Sequence, residues 1–190
     1  MKEYIEDVKK AVDVMRAGGI ILYPTDTIWG IGCDASNSAA VRRIFELKRR
    51  SDSKSMLSLI DSDAKLGYYV PDIPDVAYDL MDLAEKPLTI IYDNVRHMAP
   101  ELIAEDGSAG IRVTKEEFSR ELCRRMGGAV VSTSANISGQ PSPANFSEIS
   151  DEIRKGVDYI VEYRQAEQTR SVASGIIKLG SGGLVKVIRE

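Results

Sequence analysis

The sequence predicts an α/β fold, an open, twisted, mostly parallel or mixed sheet with helices on its faces. Helical periodicities alternate with short apolar runs along the chain, which favours a sheet layered with helices over a bundle or a sandwich. Several of those runs pass directly into polar loops, as strands do where an α/β sheet presents its ligand-binding end. The glycine-rich stretch "LGSGGLV" (179–185) reads as a hairpin turn joining the last two strands. A length of 190 residues suits a single domain over 1–190 with a full hydrophobic core.

Ile5, Val8, Val12 and Met15 recur at helical spacing and Gly18-Gly19 stops them, which predicts a helix over 4–17 and a strand over 20–23. The polar segment "PTDTIWGIGCDA" follows as a loop, and Asn37 or Ser38 caps a helix running to Lys48 with Val41, Ile44, Phe45 and Leu47 as its buried stripe. A strand is expected over 56–60. Later helices are expected over 62–69, 75–84, 115–126 and 146–155, and strands over 88–92, 110–113, 129–132, 158–161, 175–179 and 184–188.

Composition narrows the function classes. With 43% hydrophobic residues and no apolar run near the roughly 20 residues of a membrane span, nothing here is expected to cross a bilayer. Residues 1–10 lack the apolar core of a secretory signal, so a cytoplasmic location is expected. Cys33 and Cys123 form no CxxC pair and are expected to be reduced core residues. The lone His97, in "NVRHMAP", reads as part of a surface connection, which argues against a Ser/His/Asp triad and a histidine metal site. The formal charge of −4 is uneven: Arg42, Arg43, Lys48, Arg49, Arg50 and Lys54 against Glu46 and Asp52 leave +4 on 42–54 and −8 elsewhere. One basic patch on an acidic body fits a small polyanion such as a nucleoside triphosphate better than a nucleic-acid footprint.

Four loops after apolar strands can carry chemistry: "PTDTIWG" (24–30), "KRRSDSKSM" (48–56), the end of "SAGIRVT" (108–114) and "STSANISGQPSP" (132–143). Hydroxyls, an amide and free backbone N–H groups give the last of these either a donor surface for phosphate or carboxylate oxygens or a serine-rich cap for the next helix. Lys48, Arg49 and Arg50 close a helix, where they read first as solvated end charges. Arg112 interrupts the apolar "GIRV" and is costly to bury without either an anion or a carboxylate partner. Asp26 and Asp34 read as metal ligands or as turn formers. The glycines of "GIGCDA" are not a dinucleotide fingerprint, since six residues separate Gly30 from the strand and the motif opens no helix, and a Walker loop is absent.

Taken together the loops resemble the YrdC family of threonylcarbamoyl-adenylate synthases, which begin threonylcarbamoyladenosine formation in tRNA. "GGIILYPTDTIWGIGCDA" is similar to the family's PTDT-type opening, Lys48 and Arg50 to its KxR, "GIRV" to its strand arginine and "STSANISGQPSP" to its STSAN segment. The resemblance spans nearly the whole chain and implies a YrdC-like sheet with a large, positively lined concave cavity. In that cavity L-threonine, bicarbonate and Mg2+-bound ATP would give threonylcarbamoyl-AMP and pyrophosphate.

By position, the resemblance implies Thr25, Arg112, Ser132 and Ser174 around threonine, and Arg50, Lys54, Ser134, Asn136, Ser142 and Arg189 around ATP. Lys48 and Arg50 would neutralise the reacting anions, and Gly30 and Gly32 would allow tight turns. The chain departs from the family pattern at Ser55, Met56, Ala173, Gly175 and Lys178, and lacks the Trp and Gly that lead into "PLT". RNA and tRNA-modification proteins are further partners the resemblance implies. The alternatives are a YrdC-like paralogue of other substrate and a double-stranded RNA-binding module without threonine-dependent turnover.

Overall fold

The computed structural model describes residues 3–49 and 56–190. The chain opens with helix α1 (Ile5–Arg16), whose Val8, Ala11, Val12 and Met15 are buried as their spacing requires. Strand β1 (Ile21–Tyr23) follows and is buried on both faces. It turns back through the PTDT segment into β2 (Gly30–Gly32), antiparallel to it with Leu22 opposite Ile31.

The expectation of a loop with glycine turns across 24–35 is therefore corrected: Gly30 and Gly32 are strand residues with ordinary backbone angles. The missed signal is close packing. A Cβ on Gly32 would stand 2.5 Å from Val131 O and 2.6 Å from the Tyr23 ring, so only glycine admits this strand between β1 and its other neighbour.

Helix α2 (Ser38–Leu47) is capped by Asn37, whose side chain accepts from Ala40 N at 3.0 Å. Strand β3 (Leu57–Ile60), short helix α3 (Leu66–Tyr69), helix α4 (Val76–Leu83) and strand β4 (Leu88–Tyr92) come next. Then follow β5 (Ala109–Val113), α5 (Glu117–Met126) and β6 (Val130–Ser134). The single helix expected over 146–155 is instead a 3-10 turn at Phe146–Glu148 and a short α6 (Asp151–Gly156), because Ser150 stays extended and caps α6. Strands β7 (Tyr159–Ile160), β8 (Gly175–Leu179) and β9 (Val185–Arg189) close the chain, the last two as the expected hairpin, with Gly182 and Gly183 at positive φ.

Among the described residues nine strands form one open, twisted mixed sheet in the order β7-β1-β2-β6-β3-β5-β4-β8-β9. Only β1–β7, β3–β5 and β4–β8 pair in parallel. Helices α1 and α5 pack together on the sheet. Cys33 and Cys123 are free and buried, and burial pushes both thiols well above their usual range. His97 is exposed at a φ of 61° and stacks on Tyr68. Among the described residues no helix is long and apolar enough to cross a membrane.

Candidate active site

The strand order decides where the polar loops meet. Strands β6, β3, β5, β4, β8 and β9 are consecutive neighbours, and each places one or more side chains on a continuous depression. A recess of about 270 Å³ is lined by Arg112 and Thr27, by Ser132, Ser134, Asn136, Ser138 and Ser142, and by Leu57, Ser174, Ile176 and Arg189 among others. Leu57 and Ile176 also line an adjoining hollow of about 390 Å³, whose other walls include Met56, Ile91, Leu102 and Ala109. A donor-rich pocket thus opens into a mostly apolar one, the division of labour a nucleotide site needs.

Arg112, on β5, is 2% exposed. Its Nη2 donates to Asp26 Oδ1 at 2.8 Å and to Thr27 Oγ1 at 3.3 Å, and Nη1 donates to Thr89 Oγ1 at 3.3 Å. Its Nε is buried and, among the described residues, has no acceptor. The carboxylate-partner reading of this arginine holds, and among the described residues one of its donors stays unbonded. Asp26 is the counter-ion of Arg112 and lies in a bend of the loop. Burial pushes the Asp26 carboxyl above its ordinary range against the pull of that arginine.

From Arg112 a polar chain follows the strand order. Thr89 Oγ1 lies 2.9 Å from Ser174 Oγ, and Arg189 Nε donates to Ser174 O at 2.8 Å. Thr89 and Ser174 are buried, so β5, β4, β8 and β9 are tied by polar groups beneath the recess. Burial and the charge of Arg112 lower the Arg189 guanidinium pKa, as expected of two cations facing one pocket.

The structure corrects two placements. Thr25 does not reach the recess: its Oγ1 donates to Ile28 O at 2.8 Å and accepts from Thr27 N at 3.0 Å, a side-chain knot that shapes the loop from behind. Thr27 is the threonine that lines the site. Lys48 is not a solvated helix end. It is 1% exposed, and its Nζ donates to Ser134 O, Asn136 O and Asn136 Oδ1 while its own carbonyl accepts from Ser138 N. Lys48 thus fixes the STSAN loop, and the Asn136 side chain is engaged by it and by Gln140 O.

The basic patch is also not free. Arg42 pairs with Glu101, Arg43 with Asp158 and Arg49 with Glu152, each acid coming from a different part of the chain. Arg50, Lys54 and Ser55 lie outside the described residues. Of the predicted set, Lys48, Arg112, Ser132, Ser134, Asn136, Ser142, Ser174 and Arg189 meet in one recess. Thr27, Thr89 and Ser138 are additional polar contributors whose only signal in the sequence is a hydroxyl placed against an apolar run. The departure Lys178 stands at the rim of the apolar hollow, tied to Asp106 at 2.7 Å.

A family model named for Sua5, YciO and YrdC, described as telomere recombination, matches residues 13–190. The chain belongs to this family. Among its relatives, the threonylcarbamoyl-AMP synthase of Stenotrophomonas maltophilia is 35% identical over 166 residues, covering 85% of this chain and 88% of that protein. That of Thiobacillus denitrificans is 34% identical over 173 residues, covering 90% of each. Among solved structures, the YciO of E. coli superposes with a TM-score of 0.83 at 25% identity, covering 96% of this chain and 88% of that one. A P. abyssi Sua5 double variant gives a TM-score of 0.84 at 26% identity, with this chain spanning 55% of that protein. The Sua5/YciO/YrdC fold thus holds from β1 to β9.

Proposed function

We propose that the chain is a threonylcarbamoyl-AMP synthase, joining L-threonine, bicarbonate and ATP into threonylcarbamoyl-AMP and pyrophosphate for tRNA modification. The unengaged Arg112 Nε in a recess of hydroxyls, beside an apolar hollow, carries this reading. The relatives of similar length that bear the synthase name support it.

The reaction must hold two anions together. The threonine amine and bicarbonate give a carbamate with loss of water, a carbamate oxygen attacks the α-phosphorus, and the bond to the bridging oxygen breaks as pyrophosphate leaves. No side chain needs to act as nucleophile, so the protein's task is placement and charge. Arg112 Nε receives the threonine carboxylate, while Thr27 and Ser132 offer hydroxyls to its polar end. Ser134 and Ser142 face the phosphates with Arg189 as second cation, and the apolar hollow takes the adenosine. Magnesium enters as part of the substrate, carried on the phosphates. Arg50 and Lys54 are assigned to ATP from their position in the family motif. Lys48 acts through the loop it holds, a positioning role rather than direct contact.

A threonine- and bicarbonate-dependent release of AMP and pyrophosphate tests the proposal. ATP turnover indifferent to threonine would instead mark a paralogue with another acceptor.

A further inference from the structure

Ser138 stands at the far end of the loop that Lys48 secures. Its backbone N–H donates to Lys48 O at 2.9 Å, and the ammonium of the same lysine holds Ser134 O and Asn136 O, so one residue grips the loop at both ends. Ser138 lines the recess, its Oγ is buried, and among the described residues that oxygen has no hydrogen-bond partner. Three buried side-chain polar atoms are in this condition among the described residues, and two of them, Ser138 Oγ and Arg112 Nε, belong to residues that line the same cavity. A buried polar group left unbonded is a standing cost, and native proteins retain few of them. Ser138 as a residue is only partly buried, so a turn about its Cα–Cβ bond carries the hydroxyl to the recess.

We infer that Ser138 Oγ donates to a phosphate oxygen of the bound nucleotide, making it a further substrate-binding residue. The inference rests on the proposed synthase reading and adds to it a contact on the phosphate side. Arg112 lines the same recess with its Nη2 held by Asp26 and Thr27. On the loop side the Asn136 amide is spent on Gln140 O and the Ser134 hydroxyl lies against Asn136 Oδ1, which leaves Ser138 as a buried uncommitted donor. The positive charge of Lys48 beneath the same loop favours the most highly charged part of the ligand there. The next residue, Gly139, also lines the recess, with a φ of +84° and, among the described residues, no atom within 4 Å of its Cβ position.

The test uses the full chain in three forms, wild type, Ser138→Ala and Ser138→Thr, with Mg-ATP and L-threonine titrated separately and thermal unfolding followed without ligand. A hydroxyl that bonds only to ligand is dispensable to the empty fold. Ser138→Ala should therefore melt at or above the wild-type temperature and bind ATP about ten- to a hundredfold more weakly, with threonine affinity unchanged. Ser138→Thr, which restores a hydroxyl, should recover most of the ATP affinity. Unchanged ATP affinity in Ser138→Ala beside a wild type that binds ATP overturns this inference alone. A lowered melting temperature with parallel loss of both ligands also overturns it, by making the hydroxyl structural. A wild type that binds no ATP overturns the synthase reading and this contact with it.

Discussion

Two populations of arginine distinguish the business side of this sheet from its support. On α2 and just past its end, Arg42, Arg43 and Arg49 are largely exposed and each closes on a carboxylate from elsewhere in the chain. On the sheet, Arg112 is buried, has Asp26 as counter-ion and, among the described residues, still keeps an unbonded N–H, while Arg189 reaches the same recess from the edge strand. The exposed arginines find a carboxylate within the protein and water for their remaining donors, and screening leaves the pairs little energy. The buried arginine is incompletely bonded in a place where that is expensive, which is the condition of a group shaped for a ligand. Charge density in the sequence pointed to the first population, whereas incomplete bonding singles out the second.

The sharpest break in that comparison is Arg112→Lys. It keeps the charge that Asp26 needs but loses the guanidinium fork, so kcat/KM for threonine should fall about a hundredfold or more while the fold survives. A steady-state assay at varied threonine checks it, and a loss confined to ATP would reverse the assignment. Next comes Lys48→Met, which strips the donors from Ser134 O and Asn136 O. Two carbonyls left without their ammonium should cost about 2–4 kcal/mol of stability by urea titration, and turnover should fall with the loosened loop.

Asp26→Asn sharpens the pairing itself. Removing the counter-charge leaves the Arg112 cation less compensated, so threonine should bind several-fold tighter while turnover falls because the guanidinium is no longer fixed in place. Separate determination of binding affinity and kcat distinguishes these effects. Arg43→Ala should cost no more than about 1 kcal/mol and leave both substrate affinities unchanged, despite losing a two-pronged contact with Asp158.

The smallest effect concerns pH. Arg124, with help from Arg125, holds the Glu121 carboxyl down at about 2 against an ordinary 4.5. A depressed carboxylate stabilises above its ordinary range and loses that contribution as pH falls through the folded value. The melting-temperature gap between wild type and Glu121→Gln should thus be constant from pH 7 to about 5 and vanish by about pH 2.

Most of the scaffold was legible because its long elements carry clear periodicity: α1, α2 and α5 show their buried stripes, and β4, β5 and β8 are short apolar runs. Strand β2 was not, since "GIG" has neither alternation nor branched residues, and its pairing depends on the room that glycine leaves against Tyr23 and Val131. The site was legible as a set of loops, because Arg112 is anomalous within its strand and the STSAN segment is anomalous after its own. Which hydroxyl of the PTDT segment faces the recess was hidden, because Thr25 and Thr27 are alike in sequence and are separated only by the local knot that turns Thr25 away. The fate of the basic patch was equally hidden, since Glu101, Glu152 and Asp158 lie far along the chain from the arginines they hold.

Binding of L-threonine compared with L-threoninol, which lacks the carboxylate, tests the Arg112 assignment most directly. Wild type should prefer threonine by about a hundredfold, and Arg112→Lys should lose most of that preference with little change toward threoninol. Equal binding of the two ligands by wild type, or an undiminished preference in Arg112→Lys, would contradict it.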